Sequence, residues 1–438
     1  ILFYQVLVMG LLIYSNQISV RLQYICKFIF AERLNCAYSI TQHAESFEKH
    51  DGPKINYSNR TISGDCLQLM PHGLLFEKGI EDQKIFCFDF EGQKAFFKSG
   101  LGYRFDIFAA SFYLISRYEE YLPHQKDFYG RYNSKNSLAF KEGFFNVPLV
   151  DIWINHFATV LQQQFPSFRY AMGSFSFLPT YDIDIAFSYK NKGLLRNAGG
   201  FFKRPSLERL SVLAGFSKDP FDSYEIMDTI NHQFELMPVY FFLVAEKNSV
   251  YDKNILPGNA SLQKLIAQHA TQYDLGIHPS WASNENGEML QNEKRVLEKI
   301  AGKTITKSRQ HFIKMDLPET YEQLLRNGIT GDYSMGSGSI NGFRASTASA
   351  FYWYNLKTET VTQLKIHPFC FMDANSFYEQ KFTVEQAAEE LLYYYRQCRQ
   401  VNGQLITIFH NNFLGNAKEF TGWAKMYKSF IAQVNAAQ

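Results

Sequence analysis

Two carboxylates, Asp182 and Asp184, stand two residues apart in the stretch FLPTYDIDIAFSY. Side chains at i and i+2 of a strand share one face, so both acids are expected to point the same way. Adjacent carboxylates repel, and a metal ion or an arginine relieves that repulsion. Partners for them follow along the chain. LGIHPSWAS carries His278, SRQHFI carries Arg309 and His311, and GDYS carries Asp332. KIHPF supplies His367, FMDA supplies Asp373, and TIFHNN supplies His410. An acid pair alone is often a cap or a turn, and a lone histidine is often a satisfied core residue. Several at matching strand ends point to one shared polar site. Imidazoles with carboxylates suit a divalent ion, zinc first and cobalt or nickel next. Two acids could also serve glycoside cleavage, but the histidines favour metal chemistry.

The elements that must position these groups are short apolar runs. FSFLPTYDID, MPVYFFLV, YDLGIHPS, SRQHFI, GITGDYS, LKIHPFCFMDA and LITIFHNN read as seven strands. Helical or irregular segments separate them, which implies parallel βα units. Six of the seven carry an ionisable or polar residue at or just beyond the C-terminal end, where chemistry collects in a barrel of parallel strands. MPVYFFLV is the exception and reads as core. Trp281 and Tyr333 lie just past site strands, placed either to stack on sugar rings or to pack the rim. The run YSMGSGSINGFRAST lacks the lysine and spacing of a phosphate-binding loop. It reads as a mobile loop presenting Arg344, either to a carboxylate or phosphate of a substrate or to an internal partner, Asp332 or Asp373.

A segment at about 188–222 separates the first two runs. Between residues 190 and 218 it holds Lys190, Lys192, Arg196, Lys203, Arg204, Arg209 and Lys218 against one acid, Glu208. It reads as a solvated amphipathic insertion, a basic lid for an anionic glycan, or a surface that touches acidic lipid.

Residues 1–170 read as a smaller α/β domain of unknown role, and 171–438 as the barrel. LLIY is expected to be a strand and Val20–Arg33 a helix. KIFCFDF and KAFFKS are expected to form a hairpin over a three-residue EGQ loop. FDIFAASFYLISRYEEYL is expected to be helical up to Pro123, and a further helix runs from Leu149 to Gln164. The apolar start, ILFYQVLVMGLLIY, is too short to span a membrane and lacks the basic flank of a leader. Six scattered cysteines, none in a CxxC pair, read as thiols of a reducing compartment, so a cytoplasmic location is expected. The net charge of +2 gives no reason to invoke nucleic acid.

These motifs carry a resemblance. TYDID, GIHPSWAS, SRQHF and FHNNFLG, in this order over about 174–415, resemble the polysaccharide deacetylase group (NodB homology, carbohydrate esterase family 4). With ETYEQLLRNGITGDYSMG, GFRAST and HPFCFMDA, the whole chain is similar to bacterial deacetylase-like proteins that have an added N-terminal domain. The resemblance implies a distorted (β/α)7 barrel and metal-dependent hydrolysis of N- or O-acetyl groups on a glycan. It implies Asp182 as base, Asp184 as metal ligand, His278 as ligand, Arg309 as the residue that orients the base, and His410 as general acid. Two departures stand out. Ile183 separates acids that the family usually has adjacent, which leaves a swap of their roles open. Ala282 occupies the place of a second ligand histidine, and His311 on the neighbouring strand is a geometric replacement. Asp332, Arg344, Trp281, Tyr333 and His367 are the candidate substrate contacts. A degenerate carbohydrate-binding barrel, or another hydrolase such as an amidohydrolase on the same fold, are the alternatives.

Overall fold

The computed structural model describes residues 10–203 and 205–436. Residues 1–9, which include most of the apolar start, lie outside that description.

The first half forms a parallel four-stranded sheet. Its strands are β1 (Leu11–Ser15), β2 (Tyr38–Thr41), β3 (Lys54–Tyr57) and β4 (Leu67–Gln68), in the order β2-β1-β3-β4. The expected helix after β1 starts at Val20, capped by the Ser19 hydroxyl, and from Lys27 to Arg33 it widens into a π-helix. The hairpin forms from β5 (Phe88–Phe90) and β6 (Gln93–Ala95). Its loop is two residues, not three. Glu91 and Gly92 both take positive φ (48° and 75°), which matches the twist of tight hairpins. The next helix covers only Ile107–Ile115, and Arg117 at φ 55° turns the chain into a short 3₁₀ segment, Tyr118–Tyr121. The helix Leu149–Gln164 is as expected.

The second half builds a nine-stranded sheet. It comprises β7 (Ser176–Ile183), β8 (Val239–Leu243), β9 (Asp274–His278), β10 (Lys307–Ser308), β11 (Gly331–Asp332), β12 (Phe351–Asn355), β13 (Thr360–Ile366), β14 (Phe371–Met372) and β15 (Gln404–His410). The order is β12-β13-β11-β10-β9-β8-β7-β15-β14, parallel throughout except for β12 against β13. The run LKIHPFCFMDA is therefore two strands, β13 and β14, at opposite sides of the sheet. Only residues 367–370 join them. Five Cα steps reach at most about 18 Å. Seven strand spacings would hold them about 34 Å apart in a flat sheet. The sheet must roll, although no ladder joins its two edges among the described residues. Alternate residues of β8 and β15 (Val239, Phe241, Ile406, Ile408) meet Tyr333 and Phe369 inside the roll. Tyr240 and Phe242 of β8 face the outer apolar cluster.

The two halves share that outer cluster, which runs from Leu11 to Val434. Buried charges cross between them. Arg344 makes two bonds to Glu120, at 2.8 and 2.6 Å. Asp151 accepts from Thr347, Ala348 and Ser349 and faces Arg33 at 3.0 Å. Arg21 pairs with Glu359.

The glycine-rich run is not a mobile loop over a mouth. Ser334, Ser337, Asn341 and Arg344 are all buried. Its glycines serve close approach: a Cβ at Gly336 would meet Phe369 at 2.4 Å, and one at Gly338 would meet Arg131 at 2.1 Å.

Candidate metal centre

Strand register brings the site together. In the ladder, His410 of β15 pairs with Asp182 of β7, and His278 ends β9 opposite Leu243. Asp184 lies one residue past β7, and Arg309 follows β10 directly. These C-terminal ends open into a cavity of about 250 Å³ lined by Asp182, Asp184, His278, His311 and His410. Phe312, Met372, Tyr378 and Phe413 form its apolar wall.

Asp184 is the centre of the arrangement. Its Oδ1 lies 3.0 Å from His278 Nε2, and its Oδ2 lies 3.5 Å from both His311 Nε2 and His410 Nε2. Asp184, His278 and His311 each offer one ligand atom, all within 4.8 Å of one another. The far side of each ring fixes its tautomer. His278 Nδ1 donates to the Arg309 carbonyl at 2.6 Å, and His311 Nδ1 donates to Asp252 at 3.1 Å. Each Nε2 is then free to present a lone pair to the centre, the usual arrangement behind metal-bound histidine. Asp184 Oδ1 is buried and makes no well-angled hydrogen bond, despite the close His278 nitrogen. At 3.0 Å the pair is satisfied either by a proton between the two atoms or by a metal ion that both of them hold. Two imidazoles and a carboxylate, with room left beside them, fit a divalent ion with open positions.

Electrostatics agrees. Burial alone would raise the Asp184 carboxyl, but His311 and His278 outweigh it and hold it well below the ordinary range. Burial alone would lower His311, yet Asp184 and Asp252 lift it to about 9. Without a metal ion, a proton on His311 takes the place of the cation. Metal binding must then release that proton. Apparent metal affinity is expected to rise about tenfold per pH unit up to about pH 9, read by titration calorimetry in buffers of different ionisation enthalpy. A pH-independent affinity would contradict it. The sign for folding is opposite. The raised His311 pKa stabilises metal-free protein fully below its unfolded value, and that contribution fades as pH rises through about 9.

Asp182 is held differently. Arg309 Nη1 donates to its Oδ1 at 2.8 Å and to Thr180 at 2.7 Å, while Nε donates to the Tyr333 carbonyl at 3.0 Å. The fully buried guanidinium lies 4.4 Å from the Phe241 ring centroid. That ring fits because Gly276 has no Cβ, which would meet it at 2.3 Å. On the other side, His410 Nδ1 bonds Asp373 at 2.7 Å, and the same carboxylate accepts the His410 backbone N–H. Burial opposes charge on His410, but Asp373, Asp184 and Asp182 lift it to about 10.

The cavity thus unites five of the expected residues (Asp182, Asp184, His278, His311 and His410), with Arg309 behind Asp182. No ligand comes from Ala282, and His311 stands in the trio instead. Of SRQHFI only Ser308, the last residue of β10, is strand. His311 opens a 3₁₀ turn beyond the strand, and Phe312 and Ile313 after it take left-handed φ of 59° and 55°. The candidate substrate contacts lie elsewhere. Asp332 is buried and accepts from Ser334 and Tyr321, and burial pushes its carboxyl up to about 6. Arg344 is bound to Glu120, neither to Asp332 nor to Asp373. Tyr333 is buried inside the roll and stacks on His367 at 4.4 Å. Trp281 stacks on Tyr251 at 3.9 Å, outside the cavity wall and edge-on to Phe312.

Two contributors are not legible from strand ends. Asp252 sits in the loop beyond β8, the strand that reads as pure core. Arg131, from the first half, donates to the carbonyls of Phe312 and Gly338, both at 2.9 Å, and so grips the turn that carries His311. Asp252→Asn is expected to weaken zinc binding about 10- to 100-fold without loss of fold, measured by competition with a chromogenic chelator. Unchanged affinity would remove Asp252 from the site.

The model described as "Family of unknown function (DUF7033)" matches residues 11–166. No curated protein matches the chain. In structure the chain is similar to polysaccharide deacetylases. A Mycobacterium smegmatis protein described as a polysaccharide deacetylase shares 15% identity at a TM-score of 0.40, over 60% of this chain and 85% of that one. The Bacillus cereus polysaccharide deacetylase Bc1974 shares 10% at 0.31, over 59% and 88%. BA3943, a pseudoenzyme of carbohydrate esterase family 4 from Bacillus anthracis, shares 7% at 0.33, over 60% and 61%.

Proposed function

We propose that this chain is a metal-dependent deacetylase acting on N- or O-acetyl groups of a glycan, with the rolled sheet as a distorted (β/α)7 barrel. The observation that carries the reading is the trio Asp184, His278 and His311 flanked by two differently held groups, Asp182 with Arg309 and His410 with Asp373. Held by the trio, a divalent ion supplies Lewis acidity to the acetyl carbonyl and to water. Asp182, aimed by the Arg309 hydrogen bond, accepts the proton of the attacking water. The acetyl carbon gains that oxygen, and its bond to the glycan nitrogen or oxygen breaks. His410, protonated at neutral pH and aimed by Asp373, gives its Nε2 proton to the departing amine or alcohol. Acetate and the free sugar group leave. The apolar wall of the cavity suits an acetyl methyl.

The test is acetate release from acetylated chito- and xylo-oligosaccharides by zinc-loaded protein. Release that depends on metal supports the reading. Metal uptake without release from any acetylated glycan would leave a binding barrel. His410→Ala is expected to lower kcat about 100- to 10,000-fold with metal content unchanged. As an acid, His410 must keep its proton, so wild-type turnover is expected to fall as pH rises through about 10. A variant as active as wild type would exclude His410 as the acid.

A further inference from the structure

The insertion after Asp184 presents its apolar side to solvent. It forms two helices, Leu194–Lys203 and Leu207–Leu213. The second lays Val212 against the body at 1% exposure. Leu207, Leu210 and Leu213, spaced three apart on the opposite side, are 85%, 48% and 45% exposed. Phe202 and Phe216 flank them at 85% and 86%. An amphipathic helix of a soluble body turns such a stripe inward. This one is turned outward.

Most cations around the stripe lack an acidic partner, and Glu208, on the same helix, accepts from the Tyr189 hydroxyl. Among the described residues, Lys190, Lys192, Arg196 and Arg209 make no ion pair. Arg196 donates to Asn248 and to the carbonyls of Lys253 and Asn254. Arg209 donates to the Asn197 carbonyl and lies 5.0 Å from the Tyr189 ring centroid. The acids nearby are engaged elsewhere: Asp219 caps the backbone of residues 188–190, and Glu225 holds Lys218. Burial, then the charge of Arg196, push Lys192 down to about 8.

We propose that this insertion docks the protein on an anionic membrane surface, with Phe202, Leu207, Leu210, Leu213 and Phe216 entering the headgroup region and the cations meeting lipid phosphates. Outward apolar side chains beside unpaired cations are the chemistry of an interfacial helix. No helix of the described residues is long and apolar enough to cross a membrane, so the contact is at the surface. A second copy fits poorly. A two-fold contact sets each patch against itself and brings like charges together. The patch and the cavity share one end of the sheet, because the insertion leaves β7 beside Asp184 and Arg196 grips the loop of Asp252. Docking therefore brings the cavity to glycans carried at a membrane surface, a consequence that rests on the glycan reading, whereas the docking itself does not.

The experiment is co-sedimentation of the full chain with vesicles, either neutral phosphatidylcholine or phosphatidylcholine with about 30% phosphatidylglycerol. Binding is expected only to the anionic vesicles, and to weaken as salt rises. A Phe202→Ser, Phe216→Ser double variant and a Lys190→Gln, Lys192→Gln double variant should each lose about tenfold or more in vesicle affinity. Both should keep the wild-type circular dichroism and zinc content, since they leave the core and the metal trio intact. No binding to anionic vesicles, or equal binding by the Phe202→Ser, Phe216→Ser protein, would overturn the proposal. So would a dimer in light scattering that the same variant abolishes. Vesicle binding needs no turnover, so failure to release acetate leaves this test untouched.

Discussion

Asp184→Ala protein is expected to bind zinc, cobalt and nickel at least about 100-fold more weakly than wild type, beyond the loss typical of an outer-shell change. Asp184 is the anion among the three proposed ligands and the carboxylate that faces three imidazoles. Its removal deletes a donor and the charge that offsets the ion. His278→Ala should match it, because His278 Nε2 is the nearest nitrogen to Asp184, at 3.0 Å. Asp182→Asn is the control. Asp182 Oδ2 stands 3.9 Å from His278 Nε2, and its other oxygen is held by Arg309. That variant should keep its metal and lose turnover. Native mass spectrometry of the three proteins settles the assignment. Full occupancy of Asp184→Ala would place the ion elsewhere, and metal loss in Asp182→Asn would exchange the roles of the two acids.

Glu120→Ala is expected to destabilise the protein by about 3–5 kcal/mol. Glu120 is 4% exposed and accepts from Arg344 twice and from Arg117 Nε at 2.7 Å. Burial alone would raise its carboxyl, but Arg344 and Arg117 hold it down at about 2. Alanine leaves two guanidinium groups buried with less compensation. Urea unfolding should show the loss. A Glu120→Leu, Arg344→Met double variant should lose less than the single, since replacing a buried pair costs less than breaking it. The pH dependence has a definite sign. A depressed carboxyl stabilises above its unfolded value near 4.3, and that stabilisation is lost as pH falls towards about 2. Near-zero destabilisation would mean that solvent reaches the pair.

The strand-end residues were legible in the sequence because period-two alternation and parallel register are local rules. Asp182, His278 and His410 follow from them directly. His311 does not, since it opens a short 3₁₀ turn beyond the end of β10 rather than lying on a strand. Asp252 and Arg131 belong to loops, where no periodicity marks a side chain. The glycine-rich run misleads for a related reason. Small residues signal either freedom or close contact, and only the neighbours Phe369 and Arg131 decide which. Arg344, whose polar character invites a substrate role, is spent on Glu120, which lies far from it in sequence. Seven apolar runs are legible, but the split of the sixth into β13 and β14 and the antiparallel strand β12 depend on the roll of the sheet.

The crossing charges also bear on inheritance. Residues 171–438 carry every member of the proposed trio, yet Arg344 and the backbone N–H of Ala348 find their acids, Glu120 and Asp151, in the other half. The His311 turn is likewise pinned by Arg131. A gene encoding only the second half would make a protein with stranded charges and a loosened ligand. The two halves are thus expected to travel together through duplication and fusion, and a metal centre transplanted without residues 11–166 should arrive unfinished.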